Sequence, residues 1–252
     1  MNIFKKIKKK IRGIGRRTGI MDDFDWPLYY EDEYSKQIYD LEKQYTFVLP
    51  DGKFSVADGK IILNPGLLPL NENHKALYES IYELRPDSVL EIGYGCGDHL
   101  ANIKKILPGV KLNGIDLLQK QLEFLRKRHP ELKNQAELII HDITLGVPKK
   151  IKADLAYTQA VLMHIQRHSH YLVALKNIFF VAEKYIVLME DWTRHNFFED
   201  IERISKEQGF PWKSINFYIN DTGKQTALIL SKTALNKFKE LKNSEELLCQ
   251  KP

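Results

Sequence analysis

Beyond residue 72 the apolar positions switch repeatedly between two spacings, and that alternation lays out the chain. Apolar residues recur at helical intervals over 73–84, 98–107, 117–129, 170–183 and 196–208. Between them stand short apolar runs at 88–92, 111–116, 137–141, 153–157 and 185–189. Pro86, the Pro108-Gly109 pair and Pro130 fall where the first three of these helices must stop. Helices alternating with buried-type strands predict a mostly parallel sheet with helices on both faces, an α/β fold. Two more runs, 214–219 and 225–231, flank Asp221-Thr222-Gly223 and read as an antiparallel hairpin, which brings the expected sheet to seven strands. A charged helix and tail follow.

Upstream the pattern differs. Tyr34, Ile38, Leu41 and Tyr45 mark one face of a helix, and Asp51-Gly52 and Asp58-Gly59 are turns between short strands in 46–63. Pro65 and Pro69 bound a linker. In the first stretch Ile3, Phe4, Ile7, Ile11 and Ile14 fall at helical spacing with lysines and Arg12 between them, a basic amphipathic leader. Residues 1–17 are therefore expected to meet an anionic membrane surface or a partner, the alternative being a solvated tail or packing on the chain's own domain. The expected organisation is a leader at 1–20, an N-terminal helix-and-hairpin cover at 21–72, the main domain at 73–232, and a C-terminal helix and tail at 233–252.

Composition narrows the class. Hydrophobic residues make up 43% and charged residues 28% of the chain, the balance of an ordinary globular protein. No apolar run reaches the ~20 residues of a membrane span, and no signal-peptide core is present, so a cytoplasmic protein is expected, peripheral on the inner membrane face if the leader binds there. Cys96 and Cys249 are the only cysteines, too few for a disulfide framework or a Cys-based zinc site. The net charge of +5 hides an asymmetry: the first 20 residues hold eight Lys/Arg and no acid, which leaves the body slightly acidic. That counts against a broad nucleic-acid-binding face.

The stretch 88–97, SVLEIGYGCG, carries the candidate chemistry. A strand breaks into Gly93, Gly95 and Gly97, where the missing Cβ atoms permit a tight turn and close ligand approach, and a helix N-terminus follows. Dinucleotide loops read G-x-G-x-x-G; here the third glycine arrives one residue early, Asp98 fills the later place, and Glu91 precedes the first glycine by two. The chain here resembles the class I, Rossmann-like methyltransferases that depend on S-adenosylmethionine (SAM), whose first motif is an acid followed by x-G-x-G-x-G. In that family the loop wraps the amino-acid end of SAM and the strand carboxylate orients it. Asp116 ends the second strand, where a carboxylate can accept both ribose hydroxyls or else cap the next helix. The resemblance makes Asp116 the ribose-binding acid, with Leu117 beside it. It further implies that Asp142 holds the adenine amino group, that the Ile143 backbone faces the ring, and that Thr158 and Gln159 face the methionine and the transferring methyl. It covers roughly 73–232, and its product would be S-adenosylhomocysteine (SAH).

Residues beyond the ends of parallel strands border a substrate. His164, in a VLMHI run like that of many small-molecule methyltransferases, and His195 suit a general base, and Asp191 could serve or orient one. Arg194 could pair with an anionic substrate group, and Tyr30 and Tyr34 of the cover complete the expected substrate residues. Glu190 and Asp191 could instead cap the 196–208 helix. His164 and His168 stand four apart, but no acid supports them and the segment straddles a loop, so no metal is expected. The Asn/Asp-Pro-Pro-Tyr/Phe and Pro-Cys motifs of nucleic-acid methyltransferases are missing. The resulting expectation is a SAM-dependent methyltransferase acting on a small molecule, on oxygen rather than nitrogen, resembling enzymes that tailor bacterial surface (capsule) polysaccharide precursors. A nicotinamide-dependent oxidoreductase and a non-catalytic SAM-binding module are the alternatives.

Overall fold

The computed structural model describes residues 33–148 and 151–248. The basic leader and Tyr30 lie outside them. Ten strands are described: β1 (Phe54–Ala57), β2 (Lys60–Leu63), β3 (Ser88–Ile92), β4 (Lys111–Asp116), β5 (Ala136–Ile140), β6 (Ala153–Gln159), β7 (Ala182–Met189), β8 (Asn216–Asp221), β9 (Thr226–Ser231) and β10 (Lys239–Glu240). The helices are α1 (Ser35–Glu42), α2 (Glu72–Leu84), α3 (Asp98–Ile106), α4 (Gln119–Arg128), α5 (Leu132–Gln135), α6 (His168–Val181), α7 (Phe197–Ile204) and α8 (Glu245–Leu248), with a 3-10 turn at Leu162–His164.

The main sheet runs β10-β8-β9-β7-β6-β3-β4-β5. Strands β3 to β7 pair in parallel, and β9 enters antiparallel between β7 and β8. A parallel sheet closed by an antiparallel hairpin is the class I methyltransferase order, as the resemblance implied. Strand order reverses at β3, which pairs β4 on one side and β6 on the other, so a crevice opens beyond its carboxyl end. The glycine loop leaves β3 at that crevice.

Strand β3 carries apolar residues on both faces, Val89 on one and Leu90 and Ile92 on the other, because both are covered. Val89 packs with Leu77, Tyr78, Leu100 and Leu125 of α2, α3 and α4, while Leu90 and Ile92 pack on the opposite face with Leu175, Ile178 and Ile201 of α6 and α7. The N-terminal cover joins this body through Ile38, Phe47 and Cys96, with Tyr34, Leu41, Tyr45 and Phe124 around them. The helical stripe read from the tyrosines thus seats α1 against the glycine loop and α4.

Two expectations need correction. The sheet has eight strands, because Lys239 and Glu240 pair with Ile219 and Tyr218 where a charged helix was expected. Helix α7 stops at Ile204 rather than running to 208, and the Ser205 hydroxyl turns back to the Glu202 carbonyl at 2.8 Å. As the loop expected between them implies, His164 and His168 do not share a helix: one ends the 3-10 turn and the other opens α6.

Candidate cofactor site

The glycine loop is built on positive φ angles: +81° at Gly93, +50° at Gly95 and +85° at Gly97. Only glycine adopts these without strain. A Cβ on Gly97 would stand 2.6 Å from Leu125 Cγ, so the loop needs glycine there for packing as well as for backbone conformation. Asp98 follows as the first residue of α3, 2% exposed, bound through Nε and a terminal nitrogen of Arg128 at 2.6 and 3.0 Å and through His129 Nε2 at 2.6 Å. Arg128 also pairs with Glu42 of α1. Burial pushes the Asp98 carboxyl up, but the His129 and Arg128 hydrogen bonds outweigh it and hold it at about 2. The loop, the end of α4 and the cover are therefore tied through the Arg128 guanidinium.

Asp116 is 8% exposed at the end of β4. Its Oδ2 accepts from the Gly95 N–H at 2.9 Å and its Oδ1 from the Leu118 N–H at 3.0 Å, so it faces the glycine loop and caps the next turn at once. Next to it Leu117 is 45% exposed, and in the loop after the neighbouring β5 Leu145 is 82% exposed, two apolar surfaces at adjacent strand ends. That combination suits a nucleoside, whose ribose seeks the carboxylate and whose base seeks apolar walls. Asp142 turns one oxygen to the Thr144 N–H and hydroxyl at 2.8 and 2.7 Å, and Ile143 is buried with its carbonyl held by Asn177 at 2.7 Å.

Glu91 is fully buried, and neither of its oxygens, nor the hydroxyl of the register-paired Tyr157, completes a well-formed hydrogen bond. Burial raises its carboxyl well above the usual range. A buried carboxyl with the Tyr157 phenol beside it but no well-formed hydrogen bond fits a site that receives a polar or cationic group from outside the chain. The Tyr34 hydroxyl accepts from the Cys96 N–H at 3.1 Å, which sets this cover residue directly on the glycine loop.

On the other side of the crevice β6 ends at Gln159, and Ala160 takes φ +53°, a left-handed position rare for alanine. Glu190 anchors the turn that follows: its oxygens accept from the Val161, Leu162 and Met163 N–H groups at 3.1, 3.2 and 3.0 Å. The capping of α7 falls to Asn196, which accepts from Glu199 N–H at 3.4 Å, so neither Glu190 nor Asp191 caps that helix. His164 ends the turn that Glu190 holds. His195 stacks on Tyr171 with ring centroids 3.7 Å apart, and its Nε2 lies 3.2 Å from the Leu162 carbonyl; burial lowers its pKa. Asp191 binds the Thr193 N–H and hydroxyl and pairs with Arg194 at 3.1 Å. The Asp191–Arg194 pair is thus formed within its own loop. Trp192, His195, Phe197, Phe198 and Leu247 line a cavity of about 200 Å³ there. A second cavity, of about 560 Å³, is lined by none of the glycine-loop or parallel-strand-end residues, and two ion pairs close within it, Lys60–Glu79 at 2.9 Å and Lys237–Glu83 at 2.5 Å. Among the described residues no group of three His, Cys, Asp or Glu is placed to hold a metal. No described helix is long and apolar enough to cross a membrane.

Sequence reasoning missed a polar group between α2, α3 and β6. His99 Nδ1 meets the Tyr78 hydroxyl at 2.8 Å and its Nε2 faces Gln159 Oε1 at 3.4 Å. These residues lie on three separate elements. The one local signal was an imidazole two residues after the last glycine of the loop.

Asp116 yields a pH prediction. Burial raises its carboxyl to about 6. A carboxylate accepts two ribose hydroxyls only when ionised, so nucleoside affinity should be constant above pH ~7 and fall as the pH drops below ~6. The sign is opposite for folding, which this group favours as the pH falls through about 6. Calorimetric titration with SAH at several pH values should show that fall in the native chain; Asp116→Asn should bind more weakly at all pH values and lose this component of the pH dependence.

No family model and no curated protein matches the chain. Among solved structures it is similar to the plantazolicin methyltransferase BpumL in complex with SAH (16% identity, 65% of this chain and 82% of that one, TM-score 0.47). It is also similar to an O-methyltransferase family protein from Burkholderia thailandensis (12%, 64% and 56%, TM-score 0.48) and to Streptomyces venezuelae DesVI (16%, 79% and 70%, TM-score 0.43). The chain spans little more than half the length of the second of these. At such values these likenesses bear on neither cofactor nor substrate; the class I fold rests on the strand order itself.

Proposed function

We propose that the chain is a SAM-dependent methyltransferase acting on a hydroxyl oxygen of a small molecule. The observation that carries this is the pair of buried carboxyls at the ends of neighbouring strands: Asp116 turned to the glycine loop, and Glu91 fully buried with no well-formed hydrogen bond to either oxygen. Asp116 would take the ribose hydroxyls, Glu91 the polar amino-acid end, and Leu117 and Leu145 the base. The early third glycine favours this over a dinucleotide.

When bound, the cofactor supplies an electrophilic methyl on a sulfonium. What remains for the protein is to hold an acceptor in line and to receive its proton. His164 and His195, on the loops after β6 and β7, would receive that proton, His195 through Nδ1 because its Nε2–H donates to the Leu162 carbonyl, and Glu190 fixes the first of these loops by three backbone hydrogen bonds. Sugar or phosphorylated precursors of a surface polysaccharide are the acceptors to screen first, a choice supported by the sequence resemblance.

Calorimetric titration with SAH, with NAD as comparison, tests the reading. Micromolar binding of SAH and none of NAD is the expected result. Binding of NAD alone would overturn it and make the chain an oxidoreductase.

A further inference from the structure

We propose that Asn102 and Tyr78 are positioning residues that fix the ring proton of His99 on Nε2, so that this imidazole meets a ligand as a hydrogen-bond donor and not as a base. The argument starts from two backbone groups of the cover. The Leu49 N–H can only donate, and it meets Asn102 Oδ1 at 2.8 Å; the Phe47 carbonyl can only accept, and it meets Asn102 Nδ2 at 2.7 Å. Together they fix which end of the amide is which. The second hydrogen on Nδ2 then points to the Tyr78 oxygen at 2.9 Å. A phenol has one proton, and with its oxygen already accepting from Asn102, that proton goes to the other partner, His99 Nδ1, at 2.8 Å.

Reversing the last bond would leave a buried hydroxyl proton without an acceptor, since Tyr78 is fully buried. Nδ1 is therefore an acceptor, and the neutral ring carries its proton on Nε2. Burial lowers the pKa of His99, the neighbouring Asp98 opposing it, so the ring stays neutral near pH 7. The groups facing it are His74 and Tyr78 of α2, Asp98 of its own helix and Gln159 of β6, with the His74 ring edge-on at 4.6 Å. The Nε2–H is aimed at the carboxyl end of β6, where its partner, the Gln159 side-chain oxygen, lies at 3.4 Å. That bond is long, and a ligand oxygen with a free lone pair, such as a carboxylate or carbonyl, is the group this donor suits. A hydroxyl about to lose its proton finds no acceptor in it.

The relay has a second consequence. Its first link is the backbone of Phe47 and Leu49, so the N-terminal cover sets the protonation of a side chain in the crevice without itself reaching it.

The test is nitrogen NMR of the full chain with labelled histidine at pH 7, with the His99 signals assigned by their loss in His99→Gln. The native protein should show His99 as a single neutral tautomer with the proton on Nε2. A proton on Nδ1, or an imidazolium, would overturn the proposal. In Tyr78→Phe the donor to Nδ1 is gone, and the tautomer should relax to a mixture. Asn102→Asp keeps the acceptor for Leu49 but removes the donor to Tyr78; the phenol can then turn its proton to the new carboxylate, and the His99 proton should move toward Nδ1. Unchanged His99 signals in both variants would also refute the relay. The native spectrum decides by itself if neither variant folds.

Discussion

Replacing Asp98 by alanine should cost the folded protein about 3 kcal/mol or more, the largest loss expected from any single charged side chain here. The carboxylate is 2% exposed and joined to Arg128 through both oxygens and to His129 through one. Its removal leaves a largely buried guanidinium, 13% exposed, with Glu42 as its one remaining carboxylate partner among the described residues. Urea denaturation should show the midpoint falling with little change in slope. The double variant Asp98→Ala, Arg128→Met should recover part of the loss, because removing both charges is cheaper than stranding one. Strictly additive effects would show that the two groups are not coupled. The contribution is present above the unfolded carboxylate range, ~4, and is lost as the pH falls through about 2. It should therefore be intact across the neutral range.

Asp98 also marks the limit of what the sequence discloses. Its place after the glycines was plain, but its partners lie 30 and 31 residues away at the end of α4, where Arg128 and His129 look like the ordinary basic end of an amphipathic helix. Strand β3, the glycine loop and Asp116 were legible because their signals are local: an apolar run, glycines at alternate positions, an acid at a strand end. The relay through Asn102, Tyr78 and His99 was not, since it joins residues 21 to 55 apart and exists only once α2 and α3 pack together under the cover. Strand β10 failed for another reason. Two charged residues carry no hydrophobic period, and they become a strand only because β8 offers an open edge. Helix α7 was drawn too long because helical spacing continued past Ile204, whereas the Ser205 hydroxyl competes for a backbone carbonyl there.

Gly93→Ala should weaken SAH binding by at least about 100-fold, or roughly 2.7 kcal/mol, while the sheet still folds. Two costs add at this position. With φ at +81°, a side chain costs about 1–2 kcal/mol before it meets any neighbour. The new Cβ would also overlap Val161 Cγ2. Valine cannot swing clear easily, being stiff at χ1, and its backbone is held by the Glu190 carboxylate at 3.1 Å. Either the glycine loop retreats, opening the Gly93 N–H to Ile115 carbonyl bond of 2.7 Å, or the turn that carries His164 moves. Both walls of the crevice belong to this contact, so either response spoils the proposed ligand bed. Gly93→Ala, Val161→Ala should remove the overlap but keep the φ cost, leaving a deficit of about tenfold. Gly109→Ala is the control, since a Cβ there meets nothing within 4 Å and the residue is not in the left-handed region; it should bind as the native chain does. Native affinity in Gly93→Ala would show that SAH does not depend on the contact between the turns that follow β3 and β6, and the cofactor assignment would fall with it.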